Sequence, residues 1–340
     1  MIESKVLHIS TSPHLKKEVT TADIMRNVVY ALLPVAGFAV YSFGLNALLV
    51  LSTALFSCVL TEHLLCRWSK KASTISDWSA AITGLLYGLT LPPTLPLWMV
   101  FLGGFVAIAL GKFVFGGLGY NVFNPALVGR AFLQAAFPVA MTTWTASFLQ
   151  ERFGSVASSI FAMPFMEPTV DGISGATPLS AWKFDNVVAG TQDLALGFIS
   201  GSTGETCAVL ILAGGAYLAA RNMLNWRIPV AILGTVYITC FVLNLVNPEI
   251  YPTPEFMLFS GGLMIGAVFM ATDMVASPLT SGGVVVYGVL IGLLIVVIRI
   301  WGGLPEGVMY AILIANAVSP HIDKAIQPRV YGTDKKRSAS

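Results

Sequence analysis

Apolar runs of about 20 residues recur along this chain, and that feature narrows the folds open to it more than any other. A helix crossing the hydrocarbon core of a bilayer needs about 20 mainly apolar residues. Set against glycine and proline punctuation, the runs predict ten spans, near 24–43, 45–65, 78–91, 96–115, 124–142, 204–220, 227–246, 256–272, 283–300 and 306–320. Only 11% of the 340 residues are charged and 56% are hydrophobic, whereas a soluble globular chain carries about 25% charged residues. An ordinary water-soluble enzyme is excluded, and no basic cluster interleaved with aromatics marks a nucleic-acid binder. The chain reads as an all-α polytopic membrane protein.

The first apolar run starts only near Ile24, after a polar segment containing Lys5, Lys16 and Lys17, which is too late for a cleavable signal peptide. With a cytoplasmic N-terminus, fifteen basic residues fall in inside segments, and only Arg152, Lys183 and Arg299 fall outside. This asymmetry predicts that both termini are cytoplasmic. The expected organisation is a cytoplasmic segment 1–23, a five-helix repeat 24–142, an extracytoplasmic loop 143–203, a second five-helix repeat 204–320 and a cytoplasmic tail 321–340.

The repeat shows in the hydropathy. Residues 84–131 hold a short span, a Pro-marked break, a long span and Gly116-Gly117-Leu118-Gly119 leading into another helix. Residues 266–316 repeat that order, with Ser277-Pro278 at the break and Gly302-Gly303-Leu304-Pro305 at the second junction. The copies lie five spans apart, so they face opposite ways across the bilayer. Inverted repeats with interrupted helices are a transporter-like device for placing a site near the midplane. Close helix packing is the plainer use of such glycines.

The four cysteines (Cys58, Cys66, Cys207, Cys240) form no Cys-x-x-Cys pair and read as buried, inert thiols. The glycine-rich stretches follow no strand and no Walker lysine appears, so they are not nucleotide loops. His8, His14, His63 and His321 are too scattered to indicate a metal site.

The most informative segment lies in the outside loop: Asp171-Gly172-Ile173-Ser174-Gly175-Ala176-Thr177-Pro178-Leu179-Ser180. Thr followed by Pro is a good N-cap and first-turn pair, so a short helix is expected to begin at Thr177 and run through Trp182. Small neighbours leave the approach to its hydroxyl uncrowded, and a helix start favours phosphate. On local physics alone, this is a capped helical turn.

Asp-x-x-Ser-Gly-Ala-Thr, ending at Thr177, also resembles the flavinylation motif of membrane respiratory proteins. Further segments extend the resemblance: Thr11-Ser12-Pro13-His14, Gly116 through Ala126, Trp226-Arg227-Ile228-Pro229-Val230, Ala271-Thr272-Asp273, Gly302 through Val308, and Pro328-Arg329-Val330-Tyr331-Gly332. Together these resemble the RnfD component of the Rnf ion-translocating oxidoreductase over residues of about 10 to 332. The homologous NqrB component of the sodium-translocating NADH:quinone reductase is similar but carries a longer N-terminal region. One departure is Met274, where the pattern leads one to expect proline after Asp273.

The resemblance implies a membrane electron carrier in a bacterial cytoplasmic membrane. It would pass electrons between reduced ferredoxin and NAD⁺, coupled to Na⁺ or H⁺ movement. It implies FMN joined to Thr177 through a phosphoester, with Asp171, Ser174, Gly175 and Ala176 forming the motif that a flavin transferase reads. It further implies the RnfA, RnfB, RnfC, RnfE and RnfG components of the complex as partners. Relatives are associated with a non-covalent riboflavin, and the NAD⁺ and ferredoxin sites are expected on the partner proteins. No residue here is expected to act as a catalytic acid or base. Two readings from other classes remain: a passive channel or transporter of the inverted-repeat type, and a membrane scaffold whose flavin motif is accidental.

Ionisable groups inside a membrane are functional candidates because burying charge there is costly. Lys112 and Arg130 flank the first glycine-rich junction, and Asp273 and Arg299 are expected at roughly equivalent places in the second repeat. Asp273 is the preferred ion-pathway candidate, followed by Lys112 and Arg130. Glu62, His63 and Glu205 lie at span ends, and Asn121 and Asn124 lie before Pro125. Snorkelling, ion pairing between elements and, for Asn124, helix capping are the structural alternatives.

Overall fold

A computed structural model describes residues 20–70, 74–164, 166, 175–205 and 207–328. Among these residues every regular element is helical. Four helices are long and apolar enough to cross a membrane by length and composition: α1 (Thr21–Phe43), α2 (Leu45–Trp68), α10 (Arg227–Val246) and α13 (Ser281–Trp301). Between α2 and α10 run α3 (Ser79–Leu89), α4 (Leu97–Ile108), α5 (Pro125–Ala136), α6 (Pro138–Thr142), α7 (Pro178–Asp185), α8 (Thr191–Leu196) and α9 (Ala208–Ala220). After α10 come α11 (Pro254–Phe259), α12 (Leu263–Ile265), α13 and α14 (Val308–Ala325). Two π-helical segments, Ala109–Phe113 and Gly266–Met270, extend α4 and α12.

Several expected spans are shorter or broken, for identifiable reasons. The third is only the eleven-residue α3, because Pro92 and Pro93 cannot continue a hydrogen-bonded helix. Its orphan carbonyls are met from far along the chain. Thr203 N donates to Leu91 O at 3.1 Å, Gly204 N to Leu89 O at 2.7 Å, and Thr203 Oγ1 to Gly88 O at 2.8 Å. A helix can end inside an apolar bundle only when its last carbonyls find such donors. The span expected at 124–142 breaks at Phe137-Pro138 into α5 and α6. The span expected at 256–272 divides into α11, α12 and a π segment at Ser260-Gly261-Gly262, where Gly261 adopts φ +64°.

The two halves of the chain pack alike. Helix α2 lies against α3 and α4, and α10 lies against α11 and α13. Close approach depends on glycine in both. A Cβ at Gly84 would come within 2.8 Å of Leu55 Cα, and one at Gly288 within 2.6 Å of the Ala231 Cβ. The halves meet through α1 on α9 and α5 on α14. Outward faces of the long helices carry Leu33, Phe56, Ile238, Leu245 and Val297, all exposed. Helices apolar on their outer faces suit lipid rather than water.

Polar contacts gather at the two ends of this bundle. At one end, Asn27 bonds to Tyr217 and Arg221, Arg227 Nη1 donates to Ser281 Oγ at 2.9 Å, and Leu279 N donates to Asp323 at 3.0 Å. At the other, the segment after α6 folds over the α1–α2 turn: Leu45 N donates to Arg152 O at 3.0 Å and Arg152 Nε to Tyr41 O at 2.9 Å. Gly44 at that turn has φ +70°, and a Cβ there would overlap Arg152 O at 1.9 Å. All four cysteines are buried free thiols.

Candidate functional site

Thr177 lies at the end of the bundle that carries Arg152. It is the N-cap of α7, as its Thr-Pro sequence predicts, and α7 extends to Asp185 rather than stopping at Trp182. Its Oγ1 accepts from Ser180 N at 3.2 Å and lies 2.9 Å from Ser180 Oγ. The residue is 5% exposed. Gly175 anchors the approach, its N–H donating to Trp144 O at 3.0 Å, and a Cβ there would meet Ser200 Oγ at 2.6 Å. Ala176 is exposed. Asp171 and Ser174 lie outside the described residues.

Thr177 opens into a cavity of about 80 Å³ lined by Arg130, Gln134, Trp144, Ser180, Glu306 and Tyr310, among others. That is room for several water-sized groups. Arg130 Nη2 donates to Glu306 Oε2 at 2.6 Å, and the other Glu306 oxygen accepts from Gly262 N at 2.9 Å. Behind this pair, Glu205 Oε1 approaches the same Gly262 and has no hydrogen-bond partner among the described residues. Arg299 is wholly buried, with Nη1 and Nη2 donating to Met257 O at 2.7 Å and Ser260 O at 2.9 Å. The Lys183 ammonium gathers the carbonyls of Arg299, Gly302 and Leu304, which holds α7 to the end of α13. Partial burial pulls that ammonium below the ordinary lysine range.

The opposite end holds a second polar site. Lys112, in the first π segment, donates to Glu62 Oε1 and Oε2 at 2.7 and 2.8 Å and to Ser79 Oγ at 2.6 Å. Glu62 also accepts from Thr74. Asn121 Nδ2 donates to Asp273 Oδ2 at 3.1 Å, and Asp273 Oδ1 accepts from Val275 N at 3.1 Å. Asn124 Oδ1 caps α5 through Ala126 N at 3.0 Å, while its Nδ2 donates to Met270 O at 3.1 Å. One cavity touches Lys112, Asn121, Asn124 and Asp273, with Ile82, Leu86 and Phe269 among its apolar walls. Residues of both π segments border it. Such irregularities are frequent at functional sites.

The three ion-pathway candidates therefore do not form one site. Lys112 and Asp273 share a cavity, whereas Arg130 sits with Thr177 at the far end, near Arg299. Sequence reading missed Glu306 as a site residue, although it follows the second glycine-rich junction as Asn121 follows the first. Trp144 and Tyr310 gave no signal of their own.

The sequence model of the NQR2, RnfD, RnfE family matches residues 8–332. Among curated relatives, the chain is 41% identical over 342 residues to the RnfD-type component of the proton-translocating ferredoxin:NAD⁺ oxidoreductase complex of Clostridium ljungdahlii, covering 98% of each chain. It is 38% identical over 333 residues to the corresponding component of the Na⁺-translocating ferredoxin:NAD⁺ oxidoreductase complex of Acetobacterium woodii, covering 97% of this chain and 96% of that one. The counterpart from the ion-translocating oxidoreductase complex of Alcanivorax borkumensis is 37% identical over 334 residues, with 95% and 96% covered.

Proposed function

The chain belongs to the NQR2, RnfD, RnfE family, and on that premise we propose that it is the flavin-bearing membrane component of an Rnf complex in a bacterial cytoplasmic membrane. Its relatives are named as parts of ion-translocating ferredoxin:NAD⁺ oxidoreductases. This chain would carry electrons between the complex's ferredoxin and NAD⁺ sites, which belong to its partner proteins. The coupled ion is Na⁺ or H⁺, and the relatives' names include both. The proposed topology is ten membrane passages in two inverted repeats, with both termini cytoplasmic and Thr177 on the outer side. In that topology the half-helix α3 and the broken stretch α11–α12 would enter the membrane from opposite faces.

The observation that carries this reading is Thr177 itself, a hydroxyl at a helix start on a cavity that Arg130 helps to line. FMN attached there supplies one- and two-electron redox chemistry. The chain's own groups do the rest. The Thr177 oxygen would be the attachment atom, displacing the nucleoside monophosphate of a flavin dinucleotide donor from the flavin phosphate and losing its proton, and the N–H groups at the start of α7 would favour phosphate oxygens. Asp171, Ser174, Gly175 and Ala176 complete the motif presented to the flavin transferase. The cavity at the opposite end suits a second, non-covalent flavin such as riboflavin. Its apolar walls would take the ring, and Asn121, Asn124 and Asp273 offer donors and acceptors at the edge.

Co-expression with a flavin transferase followed by a denaturing gel tests the attachment. The wild-type band fluoresces, and Thr177→Val gives a dark band of the same abundance in the membrane, since a lost N-cap costs only about 1 kcal/mol. A fluorescent Thr177→Val band would move the attachment elsewhere, and a dark wild-type band is what a channel or a scaffold predicts. Asp273 is proposed as the ion-pathway carboxylate. In reconstituted vesicles of the whole complex, Asp273→Asn lowers ion uptake more than electron transfer; equal losses would remove Asp273 from that role.

A further inference from the structure

Attaching a nucleotide phosphate to Thr177 introduces a negative charge into a pocket walled in part by Trp144, Leu304, Met309 and Tyr310. An anion held against such walls needs a partner with hydrogen-bond donors to spare. Besides Arg152, which is taken up by Tyr41 O and Leu149 O at the α1–α2 turn, three cations occupy this end of the bundle among the described residues, and two of them are turned to other groups. Lys183 has three donors and spends them on the carbonyls of Arg299, Gly302 and Leu304. Arg299 is wholly buried, directs Nη1 and Nη2 to Met257 O and Ser260 O, leaves only a buried Nε without a partner among the described residues, and does not line this pocket. Arg130 differs. Of the five N–H groups that a guanidinium carries, those on one nitrogen, Nη2, are engaged among the described residues, with Glu306. None of its nitrogens is a sealed, unpartnered atom, and Arg130 lines the pocket that Thr177 shares.

We propose that Arg130 holds the phosphate that flavin attachment places on Thr177, and that Glu306 is the positioning residue that fixes the guanidinium. The proposal rests on the Thr177 reading. A planar guanidinium fork matches two phosphate oxygens. Glu306 also accepts from Gly262 N at 2.9 Å, so sharing Arg130 with phosphate leaves its carboxylate hydrogen-bonded. Ser180 N and Oγ, both now on Thr177 Oγ1, are further hydrogen-bonding groups beside the attachment atom. Arg130 thus leaves the group of ion-pathway candidates and becomes part of the cofactor site.

The test uses the full chain, matured with a flavin transferase and purified in a phosphate-free detergent. Its readouts are in-gel flavin fluorescence, the ³¹P chemical shift of the attached phosphodiester and the anisotropy of flavin emission. Arg130→Gln and Arg130→Lys both keep a fluorescent band. In Arg130→Gln the ³¹P resonance moves and the anisotropy falls toward that of free FMN, with Arg130→Lys intermediate. Glu306→Gln loosens the guanidinium, so the ³¹P resonance and the anisotropy move in the same direction as in Arg130→Gln but less far; wild-type values in Glu306→Gln would remove Glu306 from the positioning role. A fluorescent band with ³¹P shift and anisotropy unchanged in both Arg130 variants overturns the proposal and leaves the Thr177 reading intact. Should Arg130→Gln fail to fold, Arg130→Lys decides, because it keeps a cation beside Glu306; an unchanged resonance there is fatal. A dark wild-type band defeats the Thr177 reading instead.

Discussion

Two buried cation–carboxylate pairs mark the two ends of this bundle, and they are built to different standards. Lys112 is saturated: its ammonium meets both Glu62 oxygens and Ser79 Oγ within 2.8 Å, and Thr74 closes on the same carboxylate. Arg130 is unsaturated, bonding Glu306 through one nitrogen beside a cavity that includes Thr177. A saturated pair leaves no capacity for a ligand and acts as a clamp, here between α2, the start of α3 and the π segment after α4. An unsaturated pair in a cavity retains donors for something that arrives later. Partner geometry, more than burial, separates a structural ion pair from a site.

Breaking the clamp has the largest expected effect on stability. Lys112→Met leaves Glu62 buried with only Thr74, a situation that costs about 3–5 kcal/mol. Denaturant titration of the purified chain should show that loss with undiminished flavin fluorescence. A loss of fluorescence at wild-type stability would mean that the pair serves the cofactor and that the contrast between the two ends is wrong.

The next prediction concerns the packing that joins the two ends. A Cβ at Gly129 in α5 would lie 2.6 Å from Gly103 O and 2.8 Å from the Ala107 Cβ. Gly129→Ala should cost about 1–3 kcal/mol by overpacking and should displace Arg130, its chain neighbour. Reduced stability with altered flavin anisotropy is expected; a silent substitution would show that α5 and α4 are not in contact as described. Smallest is Asn124→Ala, which removes the α5 cap and the bond to Met270 O. It should cost about 1 kcal/mol, read in the same titration, and leave the Thr177 end untouched.

Legibility from sequence followed the range of the interactions involved. The long helices α1, α2, α10 and α13 were readable because each buries or exposes a continuous apolar run. Thr177 was readable because a cap is a contact with a residue three positions on, and Pro178 marks it. The stop after α3 was visible in Pro92-Pro93, but the donors that make it tolerable, Thr203 and Gly204, are more than 100 positions away. The break at Ser260-Gly261-Gly262 carries no proline; it depends on Glu306 reaching Gly262 N, 44 positions along. Arg130 and Glu306 are 176 residues apart, and no local pattern pairs them. Lys112 and Asp273 share a cavity across a longer stretch of sequence than many of these contacts, and nothing local to either residue announces it.

Mass spectrometry of the tryptic peptide between Arg152 and Lys183, from chain matured alongside its flavin transferase, tests the central claim most directly. The account predicts that this peptide carries the added mass of an FMN group and that fragmentation places it on Thr177. The unmodified peptide at full abundance would contradict it.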